Sequence, residues 1–236
     1  MKKEALFIQY LKRKHGFINV KQYLPPNNLG FYYFLGQTPK NKKVFIKLEG
    51  KVKQAAAREA CLLKILHQKN KTGFFPNLLA YQTKGSFPFI ATEFIRGMTL
   101  DKYLLHNKPG NNQKKKLLQQ MKLILGVLQR AKIVHRDIRP VNLMVQVNKN
   151  QQLRLILIDF AYAVRLHPYP LPELSFLSKN KPILEKLGRD FRPTASRWDD
   201  AYSFCKIAQL VEPHCQKKHP KIWAALSSCV DKLYFD

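Results

Sequence analysis

The sequence predicts an α+β fold in two unequal parts. Its first third is rich in extended segments around a single helix, and the remainder is helical with short strands in its middle. The 236 residues, 45% hydrophobic and 11% aromatic, suffice for one globular unit or two small lobes and argue against a disordered chain.

Residues 1–16 form a basic, partly amphipathic segment, with Leu6, Phe7, Tyr10 and Leu11 beside Lys12, Arg13 and Lys14. Two readings of it stay open: packing on the first lobe, or resting on anionic head groups. Its apolar stretch is too short for a secretory signal and has no small-residue cleavage site. Over residues 17–48 the segments FINVKQYL, FYYFLGQ and KVFIKLE read as strands, because β-branched and aromatic residues dominate and Pro-Pro-Asn-Asn and Gln-Thr-Pro-Lys-Asn part them as turns. VKQAAAREACLLKILHQ is a helix by propensity, with Ala60, Leu63 and Leu66 near helical spacing. Strands follow at NLLAYQT and FPFIATEFI. Beyond Arg96 and Gly97 come a short helix near Leu100–Leu105, a loop over Asn107–Asn112, and the long amphipathic helix KKKLLQQMKLILGVLQRA, whose basic start should face solvent. IVHRDI, NLMVQV and LRLILIDF then alternate short strands with turns. The expected organisation is a basic segment over 1–16, a strand-rich lobe over 17–95 and a helical lobe over 96–236, with the break near Ile95–Leu100.

Forty-two Lys and Arg against fifteen Asp and Glu give a formal charge of +27. A field so one-sided attracts phosphates, whether on nucleic acid, lipid head groups or glycans, although a plain solvated surface is the alternative. No zinc-finger, RRM or helix-turn-helix signature singles out nucleic acid. No apolar run approaches the roughly 20 residues of a membrane span; the best candidate, Leu153 to Val164, carries Asp159. Cys61, Cys205, Cys215 and Cys229 have no metal-binding spacing and read as reduced thiols of a cytosolic protein.

With so few carboxylates, each position that holds one is informative. The stretch His135–Arg136–Asp137–Ile138–Arg139–Pro140–Val141–Asn142 matches the pattern H-R-D-x-x-x-x-N and follows the long helix. Such chemistry needs one carboxylate to accept a hydrogen bond from an attacking hydroxyl and an amide oxygen five residues on to reach a metal. Seventeen residues beyond Asn142, Asp159–Phe160–Ala161 ends the apolar strand LRLILIDF, where a carboxylate is unfavourable without a cation or hydrogen-bond partner. Upstream stand Val44–Phe45–Ile46–Lys47 and, on the next helix, Glu59. Glu49 competes with Glu59 as a partner for Lys47.

Together, in this order over residues 20–210, these motifs resemble the protein-kinase-like superfamily. The resemblance implies a two-lobed kinase fold, ATP and Mg²⁺ as cofactors, and Lys47, Asp137, Asn142 and Asp159 converging on one cleft. It makes Asp137 the catalytic base or hydroxyl-orienting group, Asn142 and Asp159 Mg²⁺ ligands, and Arg139 a contact to the transferred phosphate. Lys47 would hold the α- and β-phosphates and Glu59 would orient it. Thr92 would be the gatekeeper, the Glu93 carbonyl and Ile95 N–H would read the base edge, and Met144 would form its floor. Asp200, in Asp200–Ala201–Tyr202–Ser203–Phe204, would anchor the catalytic-loop backbone.

The chain departs from the pattern at four places. Only Gly30 keeps the glycine loop in register, and Pro25 and Pro26 remove amide donors there. Phe45 replaces the Ala that faces adenine, so it either rotates away or crowds the base. Ala161 replaces the Gly of D-F-G. No A-P-E follows, and the tail after Phe204 holds about two short helices. In this the chain is similar to the lipopolysaccharide-core and Kdo sugar kinases, which implies an anionic glycolipid acceptor and peripheral contact with the inner face of a membrane. A reduced Ser/Thr protein kinase and a pseudokinase binding module are the alternatives.

Overall fold

The computed structural model describes residues 3–26, 31–51, 54–69, 73–148, 150, 152–166, 185–195, 197–232 and 234–235. The chain divides into two units, Met1–Lys64 with Pro76–Phe94, and Ile65–Phe75 with Ile95–Asp236.

In the first unit, β1 (Ile18–Leu24), β2 (Tyr32–Gln37), β3 (Lys43–Leu48), β4 (Leu78–Gln82) and β5 (Phe89–Glu93) form one antiparallel sheet in the order β1-β2-β3-β5-β4. Alternation along β3 sends Val44, Ile46 and Leu48 into the core and puts Phe45 and Lys47 on the opposite face. The helix α1 (Lys3–His15) covers the core face. Its Phe7 and Leu11, one turn apart, are fully buried against Phe17, Phe34 and Phe89. Burying two such side chains contributes on the order of 2 kcal/mol each, enough to hold a 13-residue helix that is marginal alone. Of the two readings of the N-terminal segment, the structure therefore has the packing one. Phe7 and Leu11 are spent on the core, while Leu6 of the same segment stays 42% exposed. The helix α2 (Ala55–Lys69) starts after Glu49, whose carboxylate accepts from the N–H groups of Gln54 at 2.9 Å and Ala56 at 3.1 Å.

The second unit holds β6 (Met98–Thr99), α3 (Leu100–His106) and α4 (Asn111–Ala131), then β7 (Ile133–Val134), β8 (Leu143–Val147), β9 (Leu153–Leu157) and β10 (Val164–Arg165). After β11 (Trp198–Asp199) come α5 (Asp200–Val211), α6 (Cys215–Lys218), α7 (Pro220–Ser227) and β12 (Tyr234–Phe235). A stripe on α4, including Leu117, Met121, Ile124 and Leu128, is buried where the helix packs on α5, α7 and β9. This helix begins at Asn111, inside the loop expected over Asn107–Asn112, because the Gln113 side chain accepts from the Gly110 N–H at 3.0 Å and closes the first turn. In its basic start Lys115 and Lys116 are exposed as expected, and Lys114 departs from the solvated face. Lys114 meets the buried Glu212 at 3.2 Å, and Lys218 meets the same carboxylate at 3.2 Å. Against the upward push of burial, these two ammonium groups hold Glu212 down at about 2. All four cysteines are free. Among the described residues no helix is long and apolar enough to cross a membrane.

Candidate active site

The first unit carries a buried ion pair. Lys47 on β3 and Glu59 on α2 meet at 3.3 Å with both side chains nearly buried, and the Lys47 ammonium lies 4.6 Å from the centre of the Phe31 ring. Glu49, the competing carboxylate, is occupied at the start of α2. A buried pair of this kind fixes a lysine in one geometry more than it stabilises the fold. Thr92 is buried on β5 directly opposite Phe45. The next residue, Glu93, exchanges bonds with Asn77: its N–H donates to the Asn77 carbonyl at 2.9 Å and its carboxylate accepts from the Asn77 N–H at 3.2 Å. Phe45 keeps to the Lys47 face, with Tyr33 stacked on it at 5.8 Å and Tyr23 edge-on at 6.3 Å. Gly30 lies outside the described residues.

The second unit carries a hydrogen-bonded net. The pairing of β7 with β10 leads the chain into His135, and Asp200 at the start of α5 accepts from the His135 N–H at 2.6 Å and the Arg136 N–H at 3.2 Å. Burial pushes the Asp200 carboxyl up to about 7, opposed by those two donors. Arg136 has φ 69 and lies 5.2 Å from the Trp198 ring, a left-handed conformation the anchored backbone sustains. The buried His135 ring, whose pKa burial lowers, is 3.0 Å from the Ile158 carbonyl through Nε2. Phe160 packs on it edge-on at 4.7 Å and on Phe75 at 5.8 Å.

Asp137 is the centre of the net. Arg139 grips its carboxylate with Nε to Oδ1 at 2.7 Å and Nη2 to Oδ2 at 2.8 Å. The Asn142 amide, on a 3₁₀ turn over Pro140–Asn142, donates to Oδ2 at 2.8 Å and to the Asp137 carbonyl at 2.7 Å. The Gly188 N–H adds a bond to Oδ1 at 2.7 Å. Four donors on two oxygens match the full capacity of a carboxylate. Ile95 and Met144 also belong to this unit, both half-buried, with Met144 opposite Thr99 and Ile156 in the β6-β8-β9 sheet.

The chemistry of the donor set fits Mg²⁺. Both Asn142 Nδ2 bonds point at Asp137, which leaves the amide oxygen as the free end for a hard cation. The Ile158 N–H donates to the Asn142 carbonyl at 3.0 Å, so the next residue, Asp159, leaves the strand beside Asn142 with φ 67. No group of three or more His, Cys, Asp or Glu side chains among the described residues can hold a metal. Mg²⁺ needs no such cage, since one or two protein oxygens plus phosphates and water complete its shell.

Sequence reasoning had no signal for the Gly188 N–H, which reaches Asp137 from 51 residues away, or for the stacking of Tyr33 on Phe45. Phe75 beside Phe160 is the third contact that no local pattern announced.

Comparison with known proteins finds kinases. Over 85 residues the chain is 35% identical to "Probable serine/threonine-protein kinase 2" of Plasmodium falciparum, covering 36% of this chain and 16% of that protein. Over 110 residues it is 32% identical to human "Mitogen-activated protein kinase 12", covering 46% and 29%. The chain thus spans less than a third of the length of either relative. Residues 32–168, more than half of the chain, match the family model described as "Lipopolysaccharide kinase (Kdo/WaaP) family". The α+β architecture, the Lys47–Glu59 pair and the Asp137 net belong to a chain of that family: this protein is a member of the lipopolysaccharide kinase (Kdo/WaaP) family.

Proposed function

We propose that the chain transfers the γ-phosphoryl group of ATP to a hydroxyl of an anionic glycolipid of the lipopolysaccharide type. The observation that carries this is the Asp137 net, in which one loop holds a carboxylate for the hydroxyl and turns the Asn142 amide oxygen towards a cation. When bound, Mg²⁺ neutralises developing charge on the phosphates. Lys47, held by Glu59, binds phosphate oxygens, and Asp159 serves the cation. Asp137 accepts the hydrogen bond of the attacking hydroxyl and then its proton.

That role requires a change at Asp137, because all its acceptor sites are taken. The Gly188 N–H is fixed by the backbone and the Asn142 amide is held by its second bond to the Asp137 carbonyl, whereas the long Arg139 side chain is 22% exposed. Arg139 is therefore the donor that yields. Swinging from Asp137 to the transferred phosphate, it frees one acceptor site on each oxygen and carries its charge to where negative charge gathers.

The acceptor class follows from the family and from the charge. Gly16 lies against Pro39, so the exposed Lys12, Arg13 and Lys14 at the end of α1 sit beside the hairpin bearing Lys40, Lys42 and Lys43, and no carboxylate occurs between Glu4 and Glu49. A protein acceptor is the second reading, favoured by the two kinases of similar sequence. The test offers γ-labelled ATP and Mg²⁺ with a lipopolysaccharide-type glycolipid in anionic vesicles, and separately with a protein extract. Label should enter the glycolipid, and its KM should rise with added salt as exposed charges are screened. Label confined to the protein extract would establish the second reading, and no label in either would end both.

A further inference from the structure

The sheet of the first unit presents one face to α1, and its other face holds an aromatic cluster beside a fixed cation. In antiparallel strands, residues directly opposite one another share a face. Leu35, Phe45 and Thr92 form one such row across β2, β3 and β5, and Tyr33, Lys47 and Ile90 form the next. Phe45 is half-buried, Tyr33 is stacked on it at 5.8 Å with 24° between the planes, and Tyr23 on the edge strand meets it at 6.3 Å and 89° while 48% exposed. A core has no need of these rings here, since Val44, Ile46 and Leu48 on the alternate positions already fill it with α1.

We propose that Phe45, backed by Tyr33 and Tyr23, is the residue on which the nucleotide base makes its ring contact, so that this chain holds the base by aromatic stacking. The inference rests on the kinase reading and adds a specificity-determining residue to it. Two kinds of recognition stand in adjacent rows: a π surface suited to a flat heterocycle, and the Lys47 ammonium suited to phosphate. Two residues of strand separate them, roughly 7 Å at the Cα atoms, which leaves room for a pentose between ring and phosphate. The buried Thr92 hydroxyl ends the Phe45 row with a polar group at the ring edge. The departure from the small residue of the pattern is thus a gain of base contact, and it offsets the loss of amide donors at Pro25 and Pro26.

The alternative, a ring that crowds the base, has the opposite sign, and this makes the proposal testable. Calorimetric titration of Mg-ATP and of magnesium tripolyphosphate into wild type, Phe45→Ala and Phe45→Tyr separates base contact from phosphate contact. Base–aromatic stacking is worth about 1–3 kcal/mol, so Phe45→Ala should weaken Mg-ATP about tenfold while tripolyphosphate changes less than twofold. Phe45→Tyr, which keeps the ring, should bind both like wild type. Equal or tighter Mg-ATP binding by Phe45→Ala would overturn the proposal, as would a parallel loss of both ligands or a rise in the KM of the acceptor with Mg-ATP affinity intact. Wild type binding tripolyphosphate but not Mg-ATP would also overturn it while leaving the phosphate role of Lys47 standing. Binding of neither ligand would take the kinase reading down with it.

Discussion

The two units secure their chemistry in different ways. In the second, a loop of six residues, Asp137 to Asn142, supplies Arg139 and Asn142 as donors to Asp137, and Asp200 fixes the backbone of the two residues before it, His135 and Arg136. In the first, the Lys47–Glu59 ion pair spans strand and helix, and the surrounding face carries aromatic rings. The contrast follows from what each part must do. Proton and metal chemistry tolerates little change in donor count or angle, whereas a base can be held by any surface that offers it flat, desolvated contact.

Arg139 gives the sharpest test of that contrast. If it leaves Asp137 for the transferred phosphate, Arg139→Ala should cut kcat by about 100-fold, the size of one lost transition-state donor. KM for ATP should move little. Arg139→Lys keeps the charge and frees Asp137 from the bidentate grip, so its kcat should recover to within about tenfold of wild type. An Arg139→Ala variant as fast as wild type would show that the arginine serves only to hold the loop.

Asp200 tests the other half, the backbone anchor. Asp200→Ala leaves two buried N–H groups without their acceptor and should cost about 3 kcal/mol of stability, read by denaturant unfolding. The folded carboxyl titrates near 7, above its ordinary 3.8. Its contribution is therefore full below about 4 and is lost as pH rises through 7. The stability gap between wild type and Asp200→Ala should narrow from pH 4 to pH 7.5. A gap that widens over that range would contradict the assignment.

Much of this was legible because it is local. The hydrophobic period located the long helix α4 and the strand β9 that ends before Asp159, and the five-residue spacing put Asp137 and Asn142 on one loop without announcing the bonds between them. Partners far apart in sequence were not legible. Lys114 and Glu212 are 98 residues apart, and no periodicity says which lysine of the basic run turns inward. Strand alternation does put Phe45 on the face of Lys47, but only the β2–β3 register brings Tyr33 against it. The amphipathic α1 left its occupant undecided, since Phe7 and Leu11 suit a protein core and a lipid surface equally well. Packing against Phe34 and Phe89 decides it.

The central claim, that Asp137 acts on the acceptor hydroxyl, is tested most directly by measuring transfer and binding together in Asp137→Asn. Loss of a positioned general base costs roughly 10²–10⁴-fold, so label transfer from γ-labelled ATP to the glycolipid should fall by about 1000-fold. The dissociation constant for Mg-ATP, titrated on the same preparation, should stay within about threefold of wild type, because the carboxylate serves the acceptor side. Transfer at the wild-type rate by a folded Asp137→Asn protein would contradict the account.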